Sequence, residues 1–236
     1  MNKYVLIALA TSLGLAWSAQ AGWESVVNAG ANLTEGNSET SAYSAGLASK
    51  NTNSVDQLYF NLSGAYGENA GATTTENVTS SADYRKVLND PMYGYLNASF
   101  LYDSIAQIDS RFIIGPGVGT KLIDNGRYVL GLEVGAAYIT ESLGVDTAVE
   151  IDDIALRVGQ YYTRTLSPTA HVWQKLEYLP LFNHFDDYLL NAEVGIETVI
   201  VGGTSLRIVA NDRYDSTPAT SEENDLAVTA GLSFAL

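Results

Sequence analysis

Residues 130–138 read LGLEVGAAY, and their large apolar side chains recur at every second position. One face of this segment carries Leu130, Leu132, Val134, Ala136 and Tyr138. The opposite face carries Gly131, Glu133, Gly135 and Ala137. A period of two is the geometry of a β-strand with one apolar and one polar face. The segment therefore predicts a strand that places its two faces in different environments.

The same alternation recurs along the chain, for example at 23–34, 58–67, 95–103, 153–162, 190–197 and 226–236. We count about twelve such segments of roughly ten to thirteen residues, which is the length that crosses a bilayer at a tilt. Strands of soluble proteins are usually about half as long. The pattern therefore predicts an all-β fold: a single antiparallel transmembrane β-barrel of about twelve strands, with ten as the alternative.

Two kinds of connection separate the segments. Tight turns are expected at Lys50–Ser54, Leu88–Pro91, Ile123–Gly126, Leu166–Pro168 and Val201–Gly203. Longer loops are expected among Asn69–Ala72, Ser104–Asp109, Thr140–Glu150, Leu179–Asp187 and Asp215–Asn224. Short periplasmic turns and longer extracellular loops are typical of outer-membrane barrels.

The two ends of the chain carry export signals. Lys3 precedes a largely apolar run, and Ala19-Gln20-Ala21 has the small-x-small pattern of a cleavage site. We expect residues 1–21 to be a cleaved signal peptide and residues 22–236 to form the barrel. At the other end, Leu232, Phe234 and Leu236 form an amphipathic final strand that resembles the signal read by the outer-membrane assembly machinery.

The composition limits the partners. A net charge of −15 and a pI near 4.3 argue against binding nucleic acid. The chain has no cysteine, which excludes disulfide bonds and a lipid-anchored N-terminus. Aromatic residues near both ends of the predicted strands indicate lipid and lipopolysaccharide as the surroundings, and the cell outer membrane as the location. No pattern indicates a cofactor or a particular oligomeric state.

Five short motifs occur in order along the chain. They are Gly36-Asn37-Ser38-Glu39-Thr40, Tyr102-Asp103 through Arg111, Gly115-Pro116-Gly117-Val118-Gly119, Leu132-Glu133-Val134-Gly135 and Leu176-Glu177-Tyr178. Together they resemble a family of salt-induced outer-membrane proteins. The resemblance implies an outer-membrane barrel and a link to salt or osmotic stress, and it implies no catalytic residues.

Charged residues on the polar faces are the candidate functional residues. The predicted lumen-lining set is Glu133, Arg157, Lys175, Glu177, Glu193, Glu197 and Arg207. Facing lipid at the bilayer centre would cost a few kcal/mol for each charge, so we expect all seven to point inward. They could form a charged constriction that selects solutes, or a network of ion pairs that fills and stabilises the barrel. Glycines 115, 117 and 119 are expected to leave room for Tyr93 and Tyr95.

The acidic residues assigned to loops, such as Glu141 and Asp215, could attract cations or form only a solvated surface. We find no metal-binding spacing among them.

The sequence therefore predicts a non-enzymatic narrow channel or structural barrel. The alternative is an outer-membrane lipase or protease that uses His184 with Asp186 or Asp187 at the loops.

Overall fold

The structure, a computed structural model, describes residues 22–34, 40–144 and 149–235. The expected signal peptide, Leu236 and the first motif up to Glu39 lie outside these ranges, so the expected cleavage stays a prediction. The described residues contain no helix that is long and apolar enough to cross a membrane.

Within these ranges the chain forms twelve β-strands. They are β1 (Trp23–Thr34), β2 (Thr40–Thr52), β3 (Asp56–Asn69), β4 (Ala72–Asn89), β5 (Met92–Asp103), β6 (Ile108–Asp124), β7 (Tyr128–Leu143), β8 (Val149–Ser167), β9 (Ala170–Leu181), β10 (His184–Val201), β11 (Thr204–Asp215) and β12 (Asn224–Ala235). Each strand pairs antiparallel with the next, and β12 pairs with β1 to close the barrel. The predicted fold class and the count of twelve are confirmed.

The strands are 12 to 19 residues long. A β-strand rises about 3.3 Å per residue, and a tilted strand needs roughly ten residues to cross the apolar band of an outer-membrane barrel. Even the shortest strand of this barrel is longer than that. Polar residues such as Asp152 and Asp153 lie in the part of β8 nearest its loop. The strands therefore continue beyond the apolar band into water.

The connections lie at two ends of the barrel. At the turn end they are residues 53–55, 90–91, 125–127, 168–169 and 202–203. Gly126 (φ +78°) and Gly202 (φ +54°) supply the left-handed conformation that these tight turns require. The longest connection whose residues are all described, 216–223, lies at the opposite or loop end.

Two of the expected loops are largely strand. Of Thr140–Glu150, residues 140–143 and 149–150 lie in strands, and of Leu179–Asp187 all residues except 182–183 do. The sequence interpretation ended each strand where apolar alternation stopped. Backbone pairing continues past that point, because polar side chains outside the bilayer leave the ladder hydrogen bonds intact.

The predicted two faces are present in β7. Leu132 and Val134 are 43% and 48% exposed on the outer surface, whereas Glu133 between them is 7% exposed. Large aliphatic side chains of the other strands are exposed in the same way, including Leu96, Val118, Val158 and Ile208. The inner face therefore holds the polar positions of each strand, where the candidate site lies.

Candidate functional site

Four aromatic side chains lie flat against glycines on the inner wall. A Cβ atom added to Gly117 would be 2.3 Å from Cζ of Tyr95, and one added to Gly119 would be 2.4 Å from Cζ of Tyr93. Tyr161 covers Gly131 and Trp173 covers Gly195 at comparable distances. The expectation that inner glycines make room for Tyr93 and Tyr95 is confirmed. These rings fill space along the inner wall of β5–β10, next to the charged side chains described below.

Glu133 is the centre of an ion-pair network. Its carboxylate accepts a hydrogen bond from Oη of Tyr93 at 2.8 Å. It also pairs with Arg85 at 3.0 Å and with Arg157 at 2.9 Å. Arg157 continues to Glu177 at 2.6 Å, and Glu177 accepts a further bond from Asn191 at 3.1 Å. The network thus joins β4, β7, β8, β9 and β10.

The predicted lumen-lining set did not include Arg85 of β4. Its guanidinium lies 5.4, 5.2 and 5.0 Å from the ring centres of Tyr59, Tyr93 and Tyr161. These are cation–π distances, so the rings stabilise the charge away from water. The signal was available in the sequence, because Arg85 immediately follows Tyr84 and alternation places it on the opposite, inner face.

The other four predicted residues form two separate pairs nearer the turn end. Lys175 lies 3.3 Å from Glu193, whose carboxylate also accepts a hydrogen bond from Nε1 of Trp173 at 2.5 Å. Arg207 lies 3.4 Å from Glu197 and stacks 4.5 Å from the Trp173 ring centre. All seven residues of the predicted set thus take part in ion pairs, and each pair joins opposite signs.

A buried apolar layer lies on the same inner wall toward the loop end. It consists of Ile113, Ala137, Ile139, Ala155, Leu179 and Leu189, with Leu181 packed against it. Ala155 and Leu179 are completely inaccessible to solvent. The predicted lumen-lining set contains only charged residues and does not include this layer. Its signal was that β7 carries apolar residues on both faces beyond Ala136.

Two ion pairs cross the lumen at the loop end. Arg111 of β6 pairs with Glu141 on the neighbouring strand and with Asp215 of β11 at 2.5 Å. Arg213 of β11 donates to buried Asp103 of β5 at 2.7 Å. Because β11 and β5–β6 lie on opposite sides of the strand order, these contacts span the barrel. The assignment of Glu141 and Asp215 to loops was wrong, since both are strand residues whose carboxylates pair with Arg111.

We call this whole assembly of rings, ion pairs, apolar layer and crossing pairs the septum. Its members lie on the inner faces of β4–β11 and are Arg85, Tyr93, Tyr95, Asp103, Arg111, Ile113, Glu133, Ala137, Ile139, Glu141, Ala155, Arg157, Tyr161, Trp173, Lys175, Glu177, Leu179, Leu189, Glu193, Glu197, Arg207, Arg213 and Asp215. Most of these side chains are buried or half-buried. The septum therefore fills one side of the lumen.

The remaining inner wall has a different character. We call the inner faces of β12, β1, β2 and β3, with Thr79 and Ser81 of β4, the open wall. Asn61, Ser63 and Thr229 are exposed there although they face inward. Neighbouring groups bond only to each other, as in Asn61 to Ser81 at 3.2 Å and Ser63 to Thr79 at 2.6 Å. The part of this wall around Asn61 and Ser63 is therefore accessible to water, whereas Ser233 of β12 is only 2% exposed.

The structure does not assemble the alternative catalytic pair. His184 is the exposed first residue of β10, and no hydrogen bond or ion pair joins it to Asp186 or Asp187 in the described ranges. Asp187 instead accepts hydrogen bonds from Ser216 at 3.3 Å and Thr217 at 2.8 Å. The described part of the chain also contains no group of three or more His, Cys, Asp or Glu side chains arranged to hold a metal ion.

Comparison with known proteins finds solved structures that have a similar fold. A solved structure of the NanC porin superposes with a TM-score of 0.54 at 10% identity, covering 90% of this chain and 100% of that one. The translocator domain of the autotransporter NalP from Neisseria meningitidis superposes with a TM-score of 0.51 at 11% identity, covering 98% and 93%. At these identities the likeness concerns the fold alone. No curated protein matches the sequence, whereas residues 27–236 match a family described as "Protein of unknown function, DUF481".

Proposed function

The chain belongs to the DUF481 family, and we propose that it forms a narrow, non-enzymatic channel in the outer membrane with its conducting path on one side of the lumen. The observation that carries this proposal is the contrast between the septum and the open wall. Leu179 on the septum side is inaccessible, whereas Asn61 and Ser63 on the open wall are exposed. A barrel filled evenly by side chains would bury both sides.

The septum narrows the lumen without closing it. Its charges are held in pairs and its apolar layer excludes water, so solutes have no favourable route through it. The open wall carries small side chains, including Gly30, Ser44, Gly46 and Ala48. Small inner residues leave free cross-section in a barrel of this size, which otherwise has only a modest interior.

Single-channel recording tests the proposal. The refolded chain from Gly22 onward is inserted into a planar bilayer, where we expect discrete conductance steps smaller than those of wide porins. The variant Ser63→Trp places a large ring on the open wall and should reduce the step size severalfold. Leu62→Trp is the matched control, because Leu62 is the neighbouring residue of β3 on the outer face and its replacement should leave the steps unchanged.

Silent protein that is shown to be inserted would overturn the channel and leave a structural barrel. An equal effect of both tryptophan variants would place the conducting path elsewhere.

Three further expectations accompany this function. We propose location in the outer membrane among lipid and lipopolysaccharide, and recognition of Leu232, Phe234 and Leu236 by the assembly machinery. The link to salt or osmotic stress stays a prediction of the motif resemblance. Measuring transcript levels before and after a rise in salt concentration tests it directly.

A further inference from the structure

The charges of the septum are already engaged with one another. At mid-barrel, Arg85 and Arg157 pair with Glu133 and Glu177, and toward the turn end Lys175 and Arg207 pair with Glu193 and Glu197. These four cations thus pair with four carboxylates at 2.6 to 3.4 Å. At the loop end Arg111 and Arg213 pair with the three carboxylates described above, and on β4 Asp83 accepts a hydrogen bond from Asn97 at 2.7 Å. The fields of paired charges largely cancel at a distance, so these pairs offer a passing ion little to replace its lost hydration.

The open wall carries no charged side chain along its middle. Its described charges lie at its ends: Glu24 pairs with Lys50 at 3.0 Å near the turns, and Asp225 lies 3.7 Å from Arg213 near the loops. Between them the inner faces present only small, apolar or neutral polar groups. The described inner positions between the ends are Val26, Asn28, Gly30, Ala42, Ser44, Gly46, Ala48, Asn61, Ser63, Ala65, Thr79, Ser81, Ala227, Thr229, Gly231 and Ser233.

These neutral groups can exchange hydrogen bonds with a solute. The hydroxyls of Ser63 and Thr79 each both donate and accept, and at present they bond only to each other at 2.6 Å. A solute hydroxyl can insert between paired hydroxyls of this kind, replacing the hydrogen bonds that it loses to water.

From this division we infer that the channel passes small uncharged polar solutes of the sugar and polyol class in preference to ions of the same size. The inference rests on the proposed channel and names its substrate class. The neutral open wall lowers the free-energy barrier to passage for a molecule that needs hydrogen bonds. An ion in a narrow path that offers no unpaired counter-charge keeps its full desolvation penalty.

Swelling of proteoliposomes tests the substrate class with three probes of one carbon skeleton. Glucose is neutral, gluconate is an anion and glucosamine is a cation near pH 7. Gluconate is supplied as its potassium salt with valinomycin and glucosamine as its thiocyanate, so that the counter-ion crosses the lipid freely and charge balance does not limit entry. We expect glucose to enter about tenfold faster than either ion, the ratio that a barrier difference of about 1.4 kcal/mol would produce. Equal rates for the three probes in a channel that conducts would overturn the substrate class and leave the channel standing.

A charged variant of the open wall provides the second arm. Ser63→Glu places one carboxylate beside the path and should raise the rate of glucosamine relative to glucose several-fold. Ser63→Gln is the matched control, with nearly the same volume and no charge, and it should keep the preference for glucose. If both variants change the ratio equally, charge does not govern selection and the inference is wrong. If no probe enters and no conductance is seen, the channel and the substrate class fail together.

Discussion

The two sides of the lumen are built from strands of the same kind, yet they are filled in opposite ways. On the septum side the inner positions of β5–β10 hold tyrosines, tryptophan, arginines and glutamates, most of them buried or half-buried. On the open wall the corresponding positions hold serine, threonine, alanine, glycine and asparagine, and several are exposed. The comparison shows that a strand count alone does not determine the free width of a barrel. Side-chain volume at alternate positions determines it.

The largest expected effect concerns the carboxylate at the centre of the septum. Replacing Glu133 with alanine leaves the guanidiniums of Arg85 and Arg157 without their shared partner in a buried setting. We expect a loss of about 3–5 kcal/mol in the free energy of unfolding. Urea unfolding in lipid vesicles, followed by tryptophan fluorescence, measures it.

Glu24→Ala is the corresponding change on the open wall. Glu24 pairs with Lys50 near the turns, where both side chains are about half exposed or more. An exposed pair of this kind contributes about 0–1 kcal/mol, so little change is expected. If Glu133→Ala and Glu24→Ala lowered the free energy of unfolding by similar amounts, burial would not be what strengthens the ion pairs of the septum.

A smaller effect is expected at the glycines beneath the aromatic rings. In Gly117→Ala the new methyl group would lie 2.3 Å from Tyr95 and 2.5 Å from the backbone oxygen of Val134. Because the backbone cannot move aside as a flexible side chain can, we expect a loss of about 1–3 kcal/mol in the same unfolding measurement.

Gly46→Ala is the matched substitution on the open wall. There the nearest atom, the backbone oxygen of Leu62, would lie 3.3 Å from the new methyl group. We expect this variant to unfold within about 0.5 kcal/mol of the parent protein. If Gly46→Ala were the more damaging of the two, the packing of rings on glycines would not be what holds the septum in place.

A small effect on stability is expected at an ion pair of the septum that is open to the lumen. The Lys175 side chain is 60% exposed, so its pair with Glu193 faces the accessible part of the lumen. Lys175→Met should change the free energy of unfolding by less than about 1 kcal/mol. It should also shift the zero-current potential toward greater cation preference, because Glu193 loses its nearest cation. Lys175→Arg is the control that keeps the charge, and an unchanged potential in Lys175→Met would place Glu193 outside the conducting path.

Much of the fold was predictable because the relevant information is local. Alternation assigned Leu132, Val134 and Tyr138 to the outer face and Glu133 to the inner face, and the lengths of the alternating segments indicated a membrane barrel. The same alternation places Arg85, which follows outward-facing Tyr84, on the inner face, although the predicted lumen-lining set did not include it. Loop lengths were less predictable, because strand pairing continues where the apolar pattern ends.

The sequence by itself determined which residues face inward, since side chains on a strand must alternate whatever surrounds them. Only the closed structure decided which of them meet. Arg111 and Asp215 are 104 residues apart, and Arg213 and Asp103 are 110 apart. Their contacts depend on the register shift between neighbouring strands, which adds up around the whole barrel. No single segment of the sequence contains that sum. The division of the lumen into a filled side and an open side follows from that closure.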